Sequence, residues 1–242
     1  MRKVVTRFAP SPTGYLHIGG VRTALFNYIF AKKHAGEFLL RVEDTDQERS
    51  KGEYTDAIIE GLRWLGLTYD GNPTHQSERS VLYQNETARL LANGKAYRCS
   101  CSPERLDALR KEQESKGLKP MYDGLCRDKG ITDEDTVVRL KTPTEGSTIV
   151  DDAVYGKIEF LNKELDDLII QRSNKTPTYH LCNVVDDNAQ GVTHIIRGED
   201  HLPNTPRQIQ IIKALGYDGF NYAHLPLVLG EDKKRLSKRH AA

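Results

Sequence analysis

Fourteen residues near the N-terminus, Arg7 to Gly20 (RFAPSPTGYLHIGG), restrict the fold more than any other part of this chain. Val4, Val5 and Phe8 form a short apolar run with the pattern of a buried strand. It breaks at Pro10, Pro12 and Gly14, and a helical pattern starts around His17 to Gly20. Val21, Leu25, Ile29 and Phe30 continue that helix, with Gly36 as its stop. A second apolar run, Phe38-Leu39-Leu40-Arg41-Val42, ends in Glu43-Asp44 and suits a buried parallel strand, and Ile58, Ile59, Leu62 and Leu65 mark a second helix. Strand, helix and parallel strand make the half-unit of a doubly wound sheet, whose ligands collect at the carboxyl ends of the strands. Arg7, Ser11, Glu43 and Asp44 fall at such ends. The turn itself aims free backbone N–H groups and the positive helix end at a polyphosphate. Gly19 and Gly20 leave the backbone bare for close approach, and His17 adds a donor, which together outline an ATP site. Gly-Gly before a helix does not by itself separate such a site from a plain αβ corner.

A second segment shifts the balance. Lys233 to Arg239 (KKRLSKR) packs five cations and one hydroxyl into seven residues. Alone, such a run is a solvated basic patch. Here it follows Leu225, Leu227, Val228, Leu229 and a Gly230-Glu231-Asp232 turn, the pattern of a loop hung on a core strand. The formal net charge is only +1, so any nucleic-acid contact is local, on Arg105, Arg110, Lys111 or the Lys233–Arg239 run. No apolar stretch approaches the ~20 residues of a membrane span, and the N-terminus carries no signal-peptide core. The 4 cysteines in 242 residues do not make a disulfide framework. A cytoplasmic protein with no membrane partner is expected.

The chain divides by pattern into three parts. Residues 1–96 read as β-α-β-α, the first half of a nucleotide-binding domain. Residues 97–165 read as a small α+β insertion, with strands at Val137–Leu140, Ile149-Val150 and Ile158–Phe160. Residues 166–242 resume the α/β pattern with strands at Leu168-Ile169-Ile170 and Thr193-His194-Ile195-Ile196. There Asn204–Leu215 is a helix opened by Thr205-Pro206 and ended by Gly216.

The pairing of HIGG early with RLSK late resembles the two signatures of class I aminoacyl-tRNA synthetases. The segments RFAPSPTGYLHIGG, LLRVEDTD, PTYHLCNVVDD, IIRGEDH and RLSKRH are similar, in order and spacing, to the glutamyl-tRNA synthetase family, across essentially the whole chain. The resemblance implies a Rossmann-type parallel sheet split by a small domain that meets the tRNA acceptor end. It also implies ligation of L-glutamate to the 3′ end of tRNA-Glu through a glutamyl-adenylate, with ATP and Mg²⁺, and a monomer is expected. Such chemistry needs no protein nucleophile; it is positioning and neutralisation of phosphate charge.

Carried over by motif, His17, Gly20 and Lys238 are the catalytic residues implied. His17, Gly19, Gly20, Arg235, Leu236 and Lys238 bind ATP, with Lys238 closing over the pyrophosphate. Arg7, Ser11, Glu43, Tyr179, Asn183 and Arg197 form the glutamate pocket. Glu43 takes the α-ammonium, and Arg7, Tyr179 and Arg197 face the carboxylates, since guanidinium holds a carboxylate bidentately and stays charged. APSPTG departs from the glutaminyl relatives. Two other readings remain at this point: a shortened paralogue that glutamylates a modified base on tRNA-Asp, and a non-catalytic tRNA-binding module. The chain stops four residues after Lys238, where the resembled family continues into an anticodon-reading domain, so a truncated catalytic fragment is expected.

Cys99-Ser100-Cys101 and Cys126 supply three donors where zinc takes four. Zinc-bearing members of the resembled family place tyrosine or histidine at the positions of Tyr122 and Asp128. The expected set is Cys99, Cys101, Tyr122 and Cys126 around one structural Zn²⁺, the alternative being three reduced thiols without metal. Cys182 reads as core, as do His180, His194, His201 and His224 on or beside strands. Asp186-Asp187 is set aside as a Mg²⁺ site, and Asp44 and Asp46 are assigned to capping the following helix.

Overall fold

The computed structural model describes residues 2–46 and 48–230. Arg235, Leu236, Ser237 and Lys238 lie outside the described residues. Strand β1 (Val5–Phe8) pairs in parallel with β2 (Glu37–Val42) across helix α1 (Ile18–Lys33). Helix α2 (Gly52–Trp64) leads to β3 (Thr74–His75), parallel to β2. Helix α3 (Ser80–Ala92), β4 (Ala96–Cys99), α4 (Pro103–Ser115), β5 (Val137–Leu140), β6 (Ser147–Asp152), β7 (Gly156–Leu161) and β8 (Ile169–Gln171) follow. The chain continues through α5 (Tyr179–Ala189), β9 (His194–Gly198), α6 (Thr205–Leu215) and β10 (Asn221–Leu225). A second sheet runs β7-β6-β10-β9, with β6 and β9 parallel to β10 and β7 antiparallel to β6. The two parallel sheets meet at β1 and β9, where Thr193 N–H donates to the Val5 carbonyl and Val5 N–H to Thr193 Oγ1. Strands β4, β5 and β8 form a separate antiparallel sheet.

Strand alternation sorts the central side chains by face. Phe8 of β1 and Phe38 and Leu40 of β2 point to the face covered by α1 and α2, where they pack with Ala24, Ala31, Ile58 and Leu62. Arg7 of β1 and Arg41 of β2, out of phase with those residues, point to the other face, toward α5. Arg197 of β9 and His224 of β10 share that second face and pair across strands in register. One side of the sheet thus holds an apolar layer and the other a buried polar one.

Two expectations need correction. The 227–229 apolar segment is not in a strand, since β10 ends at Leu225. Asp44 and Asp46 do not cap α2, whose N-cap is Lys51 without a side-chain bond. Asp44 accepts instead from Ser77 N–H at 2.8 Å and Ser77 Oγ at 2.8 Å, while Asp46 accepts from Arg49. His194 and His224 lie on β9 and β10, and His180 on α5 and His201 in the 3-10 turn Glu199–Asn204 lie beside β8 and β9. Among the described residues no helix is long and apolar enough to cross a membrane.

Candidate active site

At the carboxyl ends of β1 and β9 the chain opens into a cleft of about 440 Å³. This is the switch point of the sheet, where β1 turns toward β2 on one side and β9 on the other, and such points hold ligands. The cleft is lined by Arg7, Ser11, His17, Gly19, Gly20, Glu43, Tyr179, Asn183 and Arg197 together. Its two ends differ in chemistry.

One end is the start of α1. His17 is the N-cap, with extended backbone, and its Nδ1 accepts from Gly20 N–H at 3.3 Å. A capping histidine spends one ring nitrogen on the helix and leaves the other for the cleft. The glycines have a local reason that close ligand approach does not cover. A Cβ on Gly19 would lie 3.1 Å from the His17 ring, and one on Gly20 would lie 3.0 Å from the Leu16 side chain. The first-turn N–H groups of Ile18 and Gly19 precede the first intrahelical bonds, which makes this end an anion site by dipole and donors alike.

The other end is an ionic network beneath Glu43. Arg7 donates through Nε at 2.9 Å and Nη2 at 3.3 Å to Asp187, and Arg41 donates through Nη1 to the same carboxylate at 2.6 Å. Arg41 also reaches Glu43 and Asn183, each at 3.3 Å. Asp186, next along α5, accepts from Gln76, Arg79 and Tyr83. Burial alone would lift the Asp187 carboxyl, but Arg41 and Arg7 outweigh it and hold it below the usual carboxylate range. Burial pushes the Glu43 carboxyl up, with Arg41 and Arg7 opposing, because desolvation disfavours the charged form of a carboxyl. The acidic pair Asp186-Asp187 is therefore consumed by arginines and anchors the site.

Arg197 differs from Arg7 and Arg41. It is 6% exposed, and its partners are neutral: Nε donates to His224 Nε2 at 3.1 Å, and Nη2 to Thr205 Oγ1 at 2.9 Å and the His201 carbonyl at 3.5 Å. Among the described residues it has no carboxylate at ion-pair distance. Burial lowers its guanidinium from the ordinary value, Tyr179 opposes, and Arg7 adds to the lowering. A buried cation without an anion of its own is costly, and this one lines the cleft. Tyr179 shares a hydrogen bond with His201 Nδ1 at 2.9 Å, and burial pushes its phenol up to about 12. Of the residues outside the expected set, His201 lines the cleft, while Arg41, Asp187 and His224 lie behind it, bonded to lining residues. An arginine inside the apolar run FLLRV, and the pair in VVDD, were the available signals.

Away from the cleft, Cys99, Cys101 and Cys126 bring their Sγ atoms within 4.8 Å of one another. Tyr122 Oη lies 3.3 Å from Cys99 Sγ and 3.6 Å from Cys101 Sγ. Tetrahedral zinc with thiolates at ~2.3 Å separates its donors by about 3.8 Å, so the four atoms fit such an ion. Burial alone would raise the Cys126 thiol, but its hydrogen bonds to Tyr122 and Cys101 bring it down to about 7. Asp128 is outside the set, paired with Lys141 at 2.8 Å. Of the basic residues on α4, Arg105 is held by Asp123 and Arg110 lies 3.8 Å from Asp107.

Known proteins share this fold. The family model described as class I tRNA synthetases (E and Q), catalytic domain, matches residues 3–242. Glutamate–tRNA ligase 1 of Alkalilimnicola ehrlichii is 55% identical over 245 residues, covering 100% of this chain and 52% of that protein. Glutamate–tRNA ligase of Geobacter sulfurreducens is 56% identical over 244 residues, with the same coverage of 100% and 52%. The crystal structure of a glutamate tRNA ligase from Elizabethkingia meningosepticum, in complex with its amino acid, superposes with a TM-score of 0.91 at 37% identity, covering 99% of this chain and 52% of that one. The chain thus spans about half the length of the relatives it matches. With a parallel sheet that opens at its switch point onto both a capped helix start and a buried arginine, it belongs to the class I aminoacyl-tRNA synthetases of the glutamate and glutamine group, as a catalytic domain of that family.

Proposed function

We propose that this chain activates L-glutamate with ATP and passes it, through a glutamyl-adenylate, to the 3′ end of tRNA-Glu. The observation that carries the reading is Arg197, a buried guanidinium lining the cleft with only neutral partners among the described residues. The side-chain carboxylate of glutamate supplies the missing charge. Glutamine cannot, and leaving a buried cation unpaired costs several kcal/mol, about 3–5. Glu43 receives the α-ammonium, and Arg7, Ser11, Tyr179 and Asn183 complete the amino-acid pocket. The names of the relatives support the same substrate.

In the first step a carboxylate oxygen of glutamate attacks the α-phosphate of ATP, and pyrophosphate leaves. In the second the ribose hydroxyl attacks the acyl carbon, and AMP leaves. The start of α1, with His17, Gly19 and Gly20, holds the phosphates. Arg235, Leu236 and Lys238, outside the described residues, close on adenine and pyrophosphate, with Mg²⁺ carried in on ATP. Charge that grows in the transition state is met by donors already aimed. Segment 97–165 receives the acceptor end, and Cys99, Cys101, Tyr122 and Cys126 brace it around one Zn²⁺, which metal analysis of the purified chain reads directly.

The test is amino-acid-dependent ATP–pyrophosphate exchange with and without tRNA-Glu. Exchange driven by glutamate and not by glutamine is expected, and equal exchange with glutamine would overturn the reading. Exchange with glutamate in the absence of any tRNA would favour the shortened paralogue instead.

A further inference from the structure

Behind Arg197 lies a second buried chain of hydrogen bonds that the chemistry above does not use. His224 is fully buried, and its Nδ1 sits 2.6 Å from Asp152 Oδ2. Its Nε2 lies 3.1 Å from both Arg197 Nε and Thr205 Oγ1. An arginine Nε–H can only donate, so Nε2 must be bare and the ring proton must sit on Nδ1, facing Asp152. We propose that Asp152 and His224 are positioning residues for the glutamate site: Asp152 fixes the tautomer of His224, and His224 fixes the guanidinium plane of Arg197. This rests on the reading of Arg197 as the receptor of the substrate carboxylate.

The geometry around Asp152 shows why a carboxylate is needed there. Its Oδ1 is pinned by the backbone N–H groups of Val154 at 2.9 Å and Tyr155 at 3.0 Å. Its Oδ2 takes the His224 ring proton and the His224 backbone N–H at 3.1 Å. Burial and Arg197 hold the imidazole below its ordinary value against the pull of Asp152, in line with a ring whose Nε2 accepts from Arg197. The charged groups around it are Asp152 from β6, Arg197 from β9 and Arg7 from β1, with Tyr222 stacked from its own strand. A neutral ring suits Arg197 twice over. It supplies an acceptor, and it adds no charge that would compete with the substrate's carboxylate for the guanidinium. Asp152 ends β6, the strand through which the 147–161 hairpin joins the sheet at Tyr222, so the orientation of the selecting arginine depends on that hairpin.

Asp152→Asn is the decisive variant. The Val154 and Tyr155 donors claim its one oxygen, which turns the amide NH₂ toward His224 Nδ1. The ring then accepts on Nδ1 and carries its proton on Nε2, against Arg197 Nε–H. Calorimetric titration of the full chain with glutamate and, separately, with ATP should show glutamate Kd raised about tenfold or more, the scale of one buried donor left unmade, with ATP Kd unchanged. Long-range ¹H–¹⁵N spectra should show the His224 Nε2 signal move from the unprotonated to the protonated range. Adding His224→Gln to Asp152→Asn supplies an amide oxygen as acceptor and should restore glutamate affinity. Unchanged glutamate affinity or an unchanged tautomer in Asp152→Asn would overturn the proposal, as would equal weakening toward both ligands with a lowered Tm. A wild-type chain that binds ATP but no glutamate would sink the substrate reading instead, and the tautomer spectrum would still decide whether Asp152 positions His224.

Discussion

Three arginines on one face of the sheet separate structure from selection. Arg41 is fully buried, and although burial would lower its guanidinium, Asp187, Glu43 and Asp186 together hold it above its ordinary value. Arg7 shares Asp187 with it. Replacing that shared acceptor, Asp187→Asn, leaves two buried cations competing for a neutral amide and should cost about 3–5 kcal/mol, visible as a lower urea midpoint at constant slope. Arg197→Met should act the other way. It removes a buried cation that has no carboxylate at ion-pair distance among the described residues, so the urea midpoint stays level or rises, while glutamate-dependent exchange falls about a hundredfold or more. Loss of both stability and exchange in Arg197→Met would mean that the guanidinium serves folding. Arg7 and Arg197 stood out in the sequence through the resembled motifs RFAPSPTG and IIRGEDH, and because a guanidinium can hold a carboxylate bidentately. Their difference did not. Asp187 lies 180 positions from Arg7, and only the folded sheet shows which arginine it neutralises. His224 was hidden for the same reason, since its partners come from β6, β9 and α6.

At the scale of elements, legibility followed how much of a segment's pattern is its own. Helix α1 and strands β1 and β2 announce themselves by apolar period and by Pro and Gly punctuation. Helix α4 buries no residue, so it has no apolar stripe to read, and only the Ser102-Pro103 start marks it. Helix α5 reads YHLCNVVDDNA, with β-branched residues and two acids whose local preferences favour a strand and a loop. Tertiary contacts override that preference: seven of its residues, Leu181 to Asp187, are buried, the acids by ion pairs to arginines. Gly36 carries more than a helix stop. A Cβ there would lie 2.2 Å from the Val4 carbonyl oxygen, with Glu37 N–H donating to that same oxygen at 2.8 Å. Gly36→Ala must push β1 from its place beside β2, and a loss of about 1–3 kcal/mol is expected from such overpacking. Because β1 carries Arg7 and leads into His17, glutamate and ATP affinity should both weaken in this variant. A Gly36→Ala chain with a wild-type urea midpoint would show that the corner has slack.

For the whole molecule, two histidines buried beside Arg197 set the response to acid. His180 is lowered from the ordinary 6.5 to about 4 by burial and by Arg207 and Arg197, and its buried Nδ1 has no hydrogen-bond partner among the described residues. His201 is lowered to about 4 by burial and by Arg197. The native state keeps both rings neutral while the unfolded chain protonates them, so stability is complete above about pH 6.5 and is lost as the pH falls toward 4. The steepest loss is about 1.4 kcal/mol per pH unit for each ring. Asp187, held below the carboxylate range, keeps its contribution until more acid conditions and cannot account for a decline above pH 5. Glu43, raised by burial, works in the opposite sense: the native state takes its proton first, which offsets part of the decline as the pH approaches the carboxylate range. Urea midpoints at pH 7.5, 6.5, 5.5 and 4.5 should therefore fall from the second value onward. His180→Gln should flatten that fall by one proton's worth, with little change at pH 7.5. A profile flat from pH 7.5 to 5.5 in the wild-type chain would show that these rings protonate in place, and that the cluster around Arg197 tolerates a further positive charge.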